Sequence, residues 1–589
     1  MPAYQPPLRD MRFVLFELHG AQSLTSLPGY QEATPDLFQS VLEAAGGFMT
    51  EKLLPLNRSG DEEGSHFENG TVRTPAGFKQ AYDEFAGGGW ISLAADPAYG
   101  GQGLPLALHV AVEEMICSTN LSFGMFPGLS QGAYNALMLH GSEELKQRYL
   151  PGLVDGSVAG TMCLTEPQCG TDLGLVRTKA EPNADGSYKI TGSKIFISAG
   201  EHDLTANILH LVLARLPDAP AGTRGISLFL VPKLLPDRLR NRFSCGGIEK
   251  KMGIHASPTC QMNFDGATGW LVGRPHKGMS AMFTMMNAAR LGVAIQGLGL
   301  AEAAYQGARD YALTRLQGRS LAGPKFPDKP ADPLIVHPDI RRMLLGMKAR
   351  IEAARALAAW VALAADEAAK HPDPERRQVA DDLVALMTPI VKSSFTDMGF
   401  DCASTAVQIW GGHGYIRENG MEQLMRDARI TQIYEGANGI QALDLIGRKL
   451  GQGTGRLLRR FFHPVAAFIE EAGAEPALAE FTLPLAKAFA RLQQLTAQIA
   501  QAGLKDPEEA GAAASDYLSF FALVAQAYMW ARMARVALAQ QEGAETGFYK
   551  AKLATARFFM ARVLPQQAAL FQVIGSGKQT LMELPAEAF

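Results

Sequence analysis

Apolar positions along this chain follow two different spacings, and the changes between them divide it into segments. Residues 1–35 carry no sustained period; Pro6-Pro7 and Pro28-Gly29 mark turns, so an extended, turn-rich stretch is expected. From 36 to 157 apolar residues recur at three- and four-residue intervals, which predicts helices. Asp36 is read as the N-cap of a helix carrying Leu37, Val41, Leu42 and Ala45, and Ala107–Ser118 and Ser142–Leu150 read as further helices. Strand-length runs then take over: Ile208–Leu216, Gly225–Val231 and Thr259–Phe264. Asp185-Gly186 lies between two short β-like runs, a hairpin signal. A β domain over 158–275 follows. The helical period returns at 276–451. Met279–Leu316 reads as one long helix, helices near 338–370 and 376–410 come next, and Gly411-Gly412 stops the second. A short helix after Asn438 is expected to bury Ile440, Leu443, Ile446 and Leu450 and to end before Gly451. Residues 452–589 are Ala-rich and helical in period, with Pro464 and Pro476 read as breaks, and form an additional helical domain. Pattern alone predicts a mixed helical and β protein of several domains.

Composition narrows the function classes. The chain has 589 residues and a formal net charge of -4, enough length for several cores and no basic excess for a nucleic-acid partner. Cys117, Cys163, Cys169, Cys245, Cys260 and Cys402 form no CxxC pair and no metal-ligand spacing, so free thiols and no metal are expected. The opening MPAYQPPLRDM has neither an apolar core nor an Arg-rich amphipathic stretch, so no signal or transit peptide is read. Apolar stretches are broken by charge or glycine and too short to span a bilayer. A cytoplasmic protein is expected.

Ile433-Tyr434-Glu435-Gly436-Ala437-Asn438-Gly439 carries the strongest chemical signal. A carboxylate stands on an apolar-flanked turn just ahead of a helix. Partial desolvation of such a group raises its pKa and makes it a better base near neutrality. For an isolated Glu-Gly pair, a surface glutamate on a loop would be the better explanation. The surrounding blocks decide against that. They are Leu164-Thr165-Glu166-Pro167 with Gly170-Thr171-Asp172, Lys194-Ile195-Phe196-Ile197-Ser198, and Gln408-Ile409-Trp410-Gly411-Gly412-His413-Gly414-Tyr415. In order and spacing these four blocks, within residues 70–450, resemble the acyl-CoA dehydrogenases, flavoenzymes that oxidise the Cα–Cβ bond of acyl-CoA thioesters.

The resemblance implies an α+β fold: an N-terminal helical domain, a middle β domain and a C-terminal four-helix bundle, here with an extra C-terminal helical domain. It implies FAD as cofactor, because no side chain accepts the β hydrogen as hydride. Glu435 matches the base that removes the α proton. Some relatives place that base on the long helix just before an arginine; here that position is Ala289, beside Arg290, and cannot serve. The resemblance gives Arg290 and Gly436 a place in the substrate pocket, although a helix-surface arginine in a salt bridge explains Arg290 nearly as well. Leu164, Thr165, Gly170 and Thr171 match contacts to the pyrimidine edge of the flavin, with Glu166 read as structural. Phe196 and Ser198, two apart on a strand and hence on one face, stand where relatives usually have Trp and Thr. Arg319 matches an arginine that reaches the FAD pyrophosphate across a subunit interface, and Gln408, Gly411 and Gly412 match the opposing contacts. Two departures stand out. Ala437 replaces a usual threonine, and the stretch after Arg319, with Pro324, Pro327, Pro330 and Pro333, is longer than usual.

The opening MPAYQPPLRDMRFVLFE, the block GGWISLAADPAYGGQGLP and the C-terminal extension look like the bacterial 3-methylmercaptopropionyl-CoA dehydrogenase type within this family. That type implies 3-(methylthio)propionyl-CoA as substrate, with ordinary short or medium acyl-CoAs as the alternative. An electron-transfer flavoprotein is the expected electron acceptor and a homodimer the expected assembly. Two rival readings stay open: an acyl-CoA oxidase that uses O₂, and an inactive relative acting as a scaffold.

Overall fold

The computed structural model describes residues 3–589. Chain contacts group into two compact units. One comprises Ala44–Pro105 and Met115–Gly292; the other comprises Met1–Glu43, Leu106–Glu114 and Val293–Phe589.

The first unit is built on a seven-stranded sheet of β3 (Val158–Cys163), β4 (Lys179–Pro182), β5 (Tyr188–Ser198), β6 (Asn207–Arg215), β7 (Ile226–Pro232), β8 (Phe243–Ile248) and β9 (Thr259–Val272). A separate hairpin of β1 (His66–Glu68) and β2 (Thr71–Arg73) precedes it. In the main sheet β6 pairs with β3 and β4 in parallel and with β7 antiparallel, while β5, β7 and β8 each pair antiparallel with β9. The path β6-β4-β5-β9-β7 therefore closes back on β6. That explains why β6 reads as a continuous apolar run: both its faces are covered. Val212 and Ala214 join Phe229, Met262 and Phe264 in one core. Leu209, Leu211 and Leu213 join Ala133, Leu137, Leu150 and Met285 in the other. The 185–186 turn forms the expected hairpin, with Pro182 opposite Tyr188 and Lys179 opposite Thr191.

The second unit is helical. Gly278–Thr314, whose residues from Val293 onward belong here, is the expected single long helix, followed by Pro338–Lys370 and Pro374–Trp410. Gly297 and Gly399 let two of these helices touch backbone to backbone: a Cβ on Gly297 would lie 2.4 Å from the Phe395 carbonyl oxygen. The additional C-terminal part supplies Arg456–Ala472, Ala479–Lys505, Pro507–Ala539 and Thr546–Phe558. Its core meets the bundle through Trp530, fully buried, whose indole N–H donates to the Ala349 carbonyl at 2.9 Å. A buried ion cluster joins three parts of this unit. Arg355 donates to Glu114 (2.6 Å), Glu302 (2.7 Å) and Asp10, and Lys552 donates to Asp10 and to Glu352 (2.8 Å). The two cations hold the Asp10 carboxyl far below its ordinary range, whereas burial pushes Glu114 up.

Four expectations are corrected. Residues 8–26 are not extended but form short helical turns, because Phe13, Val14, Leu15 and Leu18 are buried by the rest of the unit. Asp36 is not the N-cap; the helix starts at Pro35, and the Thr34 hydroxyl accepts from the Leu37 N–H at 3.3 Å. Pro464 does not break its helix but sits inside Arg456–Ala472. In Asn438–Asp444 the buried residues are Gln441, Ala442 and Asp444, with Leu445 just beyond, whereas Leu443 is exposed. The side chain of Gln441 is drawn under the preceding loop, and this fixes the helix phase.

Candidate active site

In the helical unit, Glu435 lies on the loop between Met421–Thr431 and Asn438–Asp444. Its φ is 57°, left-handed, a conformation that costs a non-glycine residue of order 1–3 kcal/mol unless its surroundings enforce it. Gly436 follows with φ 87°, which glycine adopts without penalty. The surroundings are explicit. Tyr434 hydroxyl donates to Gln296 Oε1 on the long helix. Gln441 Nε2 donates to the carbonyls of Glu435 and Gly436, both at 3.1 Å. Lys392 Nζ donates to the Gly436 carbonyl and to Asn438 Oδ1, both at 2.9 Å. Asn438 Nδ2 donates to Asp397 Oδ1 (2.8 Å), and Gln432 Nε2 donates to the same oxygen (2.7 Å). Burial raises the Asp397 pKa. Sequence reasoning missed Lys392, Asp397 and Gln441. The available signal was Lys392 itself, a lone charge in the otherwise uncharged stretch Thr388–Phe395 of a helix interior.

The same unit carries the Gly-rich block. Gly411, φ 60°, ends Pro374–Trp410, and Trp410 stacks on Tyr311 with ring centroids 4.3 Å apart. The Tyr311 hydroxyl meets His413 Nδ1 at 2.8 Å, so the turn after the helix is held in place. A methyl built on Gly411 or Gly412 would meet nothing within 4 Å, and Gln408 is exposed. Arg319 lies in the proline-rich stretch, which wraps around the fully buried Asp332. Asp332 accepts the backbone N–H groups of Ser320 (2.9 Å), Lys325 (3.1 Å) and Phe326 (2.8 Å), and these with Arg319 hold its carboxyl down to about 2. The Arg319 guanidinium donates to the carbonyls of Phe326 (3.0 Å) and Lys329 (2.6 Å).

In the sheet unit, Leu164, Thr165, Gly170 and Ile195–Ser198 come together. Ile195 N–H donates to the Thr165 carbonyl at 3.0 Å, and Gly170 packs on Thr165, while Thr171 is exposed. Glu166 is structural. It is buried, pairs with the buried Lys194 at 2.8 Å, and accepts from Thr178 Oγ1 (2.6 Å), Thr178 N–H (3.0 Å) and Arg177 N–H (2.8 Å). Lys194 also donates to the Leu164 carbonyl at 3.0 Å, which ties the two segments together. The Lys194 charge outweighs burial and holds the Glu166 carboxyl down to about 2. Strand alternation fails at Phe196. The pairing of β5 with β9 shifts register between Lys194 and Ile197, Phe196 adopts φ 58°, and its ring is 59% exposed. The bulge, rather than a shared strand face, sets Phe196 and Ser198. Arg290 is 6% exposed, not a surface residue, with Nη1 3.5 Å from Asn287 Oδ1.

The sheet unit thus presents an exposed aromatic at a bulge, and the helical unit presents an open glycine pair at a helix end and a carboxylate on a constrained loop. Family models agree along the chain. The acyl-CoA dehydrogenase N-terminal domain matches residues 37–157, the middle domain 161–267 and the C-terminal domain 276–451; an acetyl-CoA dehydrogenase C-terminal-like model matches 461–585. The chain belongs to the acyl-CoA dehydrogenase family, and FAD is its cofactor. It is 43% identical to a 3-methylmercaptopropionyl-CoA dehydrogenase of Ruegeria pomeroyi, over 96% of this chain and 97% of that one. A butyryl-CoA dehydrogenase of Syntrophomonas wolfei is 33% identical over 100% and 99%. Among solved structures, Caenorhabditis elegans ACDH-11 in complex with C11-CoA superposes with a TM-score of 0.79 at 20% identity, covering 96% of this chain and 92% of that one. A Bacillus anthracis acyl-CoA dehydrogenase complexed with FAD gives 0.75 at 22% identity, over 91% and 88%.

Proposed function

We propose that the chain dehydrogenates a short acyl-CoA, with 3-(methylthio)propionyl-CoA as its substrate, and passes the electrons to an electron-transfer flavoprotein. The observation that carries the catalytic part is the Glu435 turn: a carboxylate in a left-handed conformation, tied to neighbouring elements through Tyr434, Gly436 and Asn438. The backbone that carries this carboxylate is held before substrate arrives, which supports a positioned general base. Glu435 takes the α proton, and its backbone N–H shares the thioester oxygen as enolate charge develops. FAD, when bound, would supply the hydride acceptor that no side chain provides.

The residues present fit that cofactor. Leu164, Thr165, Gly170, Thr171 and Ser198 offer backbone and hydroxyl groups to the flavin, and the exposed Phe196 ring offers it a flat apolar face. Gly411 and Gly412 leave room for close approach of a pyrophosphate, with Gln408 beside them and Arg319 as the cation that completes its binding. Gly436, next to the base, is the residue of this unit expected to line the acyl pocket. The substrate assignment is supported by the identity to the Ruegeria pomeroyi enzyme along nearly the whole chain. A thioether and a methylene differ little in size, so butyryl-CoA is expected to compete within about 10–200-fold. We further propose a homodimer in the cytoplasm.

The test is Glu435→Gln, which keeps the shape and removes the proton acceptor. Turnover should fall at least about 100-fold with FAD content unchanged. Near-normal turnover would put the base elsewhere. Anaerobic flavin bleaching across a panel of acyl-CoAs reads the substrate, and activity confined to long chains would overturn the short-chain assignment.

A further inference from the structure

We propose that Lys392 is a positioning residue for catalysis: its buried ammonium locks the Glu435–Gly436 turn in the conformation that aims the carboxylate. The proposal rests on the reading of Glu435 as the base and adds to it a residue of a different element.

Lys392 sits in the middle of Pro374–Trp410 and is 0% exposed. A buried ammonium is costly unless it is well supplied with acceptors. Two acceptors at Lys392 Nζ are the Gly436 carbonyl, from the loop that carries Glu435, and Asn438 Oδ1, from the first residue of the helix that follows it. The direction of the Gly436 carbonyl depends on the two consecutive left-handed residues before it, at φ 57° and 87°. Were Glu435 to relax to the right-handed region, that carbonyl would turn away and strip a buried cation of an acceptor. The penalty for relaxation is thus moved from Glu435, where strain would favour it, onto Lys392, where burial forbids it. Asn438 closes the arrangement from the other side. Its oxygen is engaged by Lys392, and its amide hydrogens by Asp397 (2.8 Å), Thr396 Oγ1 (3.0 Å) and the Ser393 carbonyl (3.3 Å), so the first residue of the next helix cannot slide. Every one of these partners lies on one and a half turns of the same helix, from Lys392 to Asp397. A lysine that merely filled the helix core would need no such alignment.

The test uses the FAD-loaded enzyme and butyryl-CoA. Lys392→Met keeps the length and apolar stem and removes the donors. It should lower kcat about 10–100-fold, the scale of a misplaced reacting group, with KM within about threefold and FAD content unchanged. With α-deuterated substrate the isotope effect on flavin reduction should rise, because proton abstraction has become the slow step; a purely structural role would leave it alone. In the Glu435→Gln background, Lys392→Met should add no further loss, since there is no carboxylate left to aim. Wild-type kcat and isotope effect in Lys392→Met, or losses that multiply in the double variant, overturn the proposal. If Glu435→Gln itself keeps turnover, the reading of the base has failed instead. If Lys392→Met does not fold, Asn438→Ala serves: it removes one acceptor and leaves the Gly436 contact. A kcat drop of about 3–10-fold with a raised isotope effect then supports the role, and unchanged values overturn it.

Discussion

Glu166→Gln tests whether the Glu166–Lys194 pair is what holds the 164–166 segment to the 194–198 end of β5. Glu166 accepts from Lys194 Nζ, Arg177 N–H and both Thr178 donors at 2.6–3.0 Å, and Gln168 Nε2 adds another at 2.6 Å. A glutamine has one acceptor oxygen, so its amide nitrogen must confront a donor. Lys194, fully buried, is left with no compensating negative charge in contact. Breaking a buried pair from one side typically costs about 3–5 kcal/mol. At about 2–4 °C per kcal/mol for a domain of this order of size, the melting temperature should fall by roughly 6–20 °C. Because the carboxyl is held down to about 2, the pair contributes fully above the ordinary carboxylate pKa, and the contribution is lost as pH falls from about 4.5 towards 2. The wild type should therefore lose stability through that acid window faster than the variant. Circular dichroism melts from pH 3 to 7 read both quantities. Replacing both partners, Glu166→Leu with Lys194→Met, should recover most of the loss, since an apolar pair needs no charge compensation. A shift under about 2 °C, equal acid slopes in both proteins, or a double variant as unstable as the single one would refute the reasoning.

Gly297→Ala should destabilise the helical unit by more than about 3 kcal/mol in a urea melt, because the added methyl would overlap Phe395 backbone at 2.4 Å and neither helix can retreat; a small effect would mean the helices separate freely. Asp61 raises the His255 pKa to about 8, so this pair stabilises the sheet unit fully below about 6.5 and loses its effect as pH rises through 8; Asp61→Asn should flatten that slope in pH-dependent melts, and an unchanged slope would refute the assignment. Asp332→Ala should release the loop that presents Arg319 and weaken FAD retention on gel filtration, as should Arg319→Ala; retention equal to wild type in both would remove Arg319 from the cofactor site. Light scattering should give twice the chain mass, and a tetramer would refute the proposed dimer.

Long elements were legible because their patterns are one-sided or continuous. The bundle helices and β6 declare themselves by period and length. Leu121–His140 escaped notice: apolar residues surround it, Pro127 lies inside it, and it sits between a cap at Asn120 and Gly141 that only the fold makes obvious. The helical turns of residues 8–26 form because other parts of the chain bury them, which no local pattern records. Glu435 was legible as chemistry, but the means of holding it was not. Lys392 is remote in sequence, and a lone charge inside a helix does not tell which distant loop it will hold. Phe196 shows the same limit on a smaller scale, since a bulge depends on register with β9 and not on the residues of β5 alone.

The ion cluster around Arg355 has a consequence for how the chain is made. Asp10 and Lys552, which pair directly, are 542 residues apart. At about 5–20 residues per second, roughly 30–110 s pass on the ribosome between the two. During that interval Glu352 emerges with its partner Lys552 still unmade, and the leading segment has no finished surface to dock on. The helical unit is thus the last part of the molecule to close. Removing either Asp10 or Lys552 would take one partner from a buried cluster of like and unlike charges, so the first and last parts of the chain share one electrostatic centre.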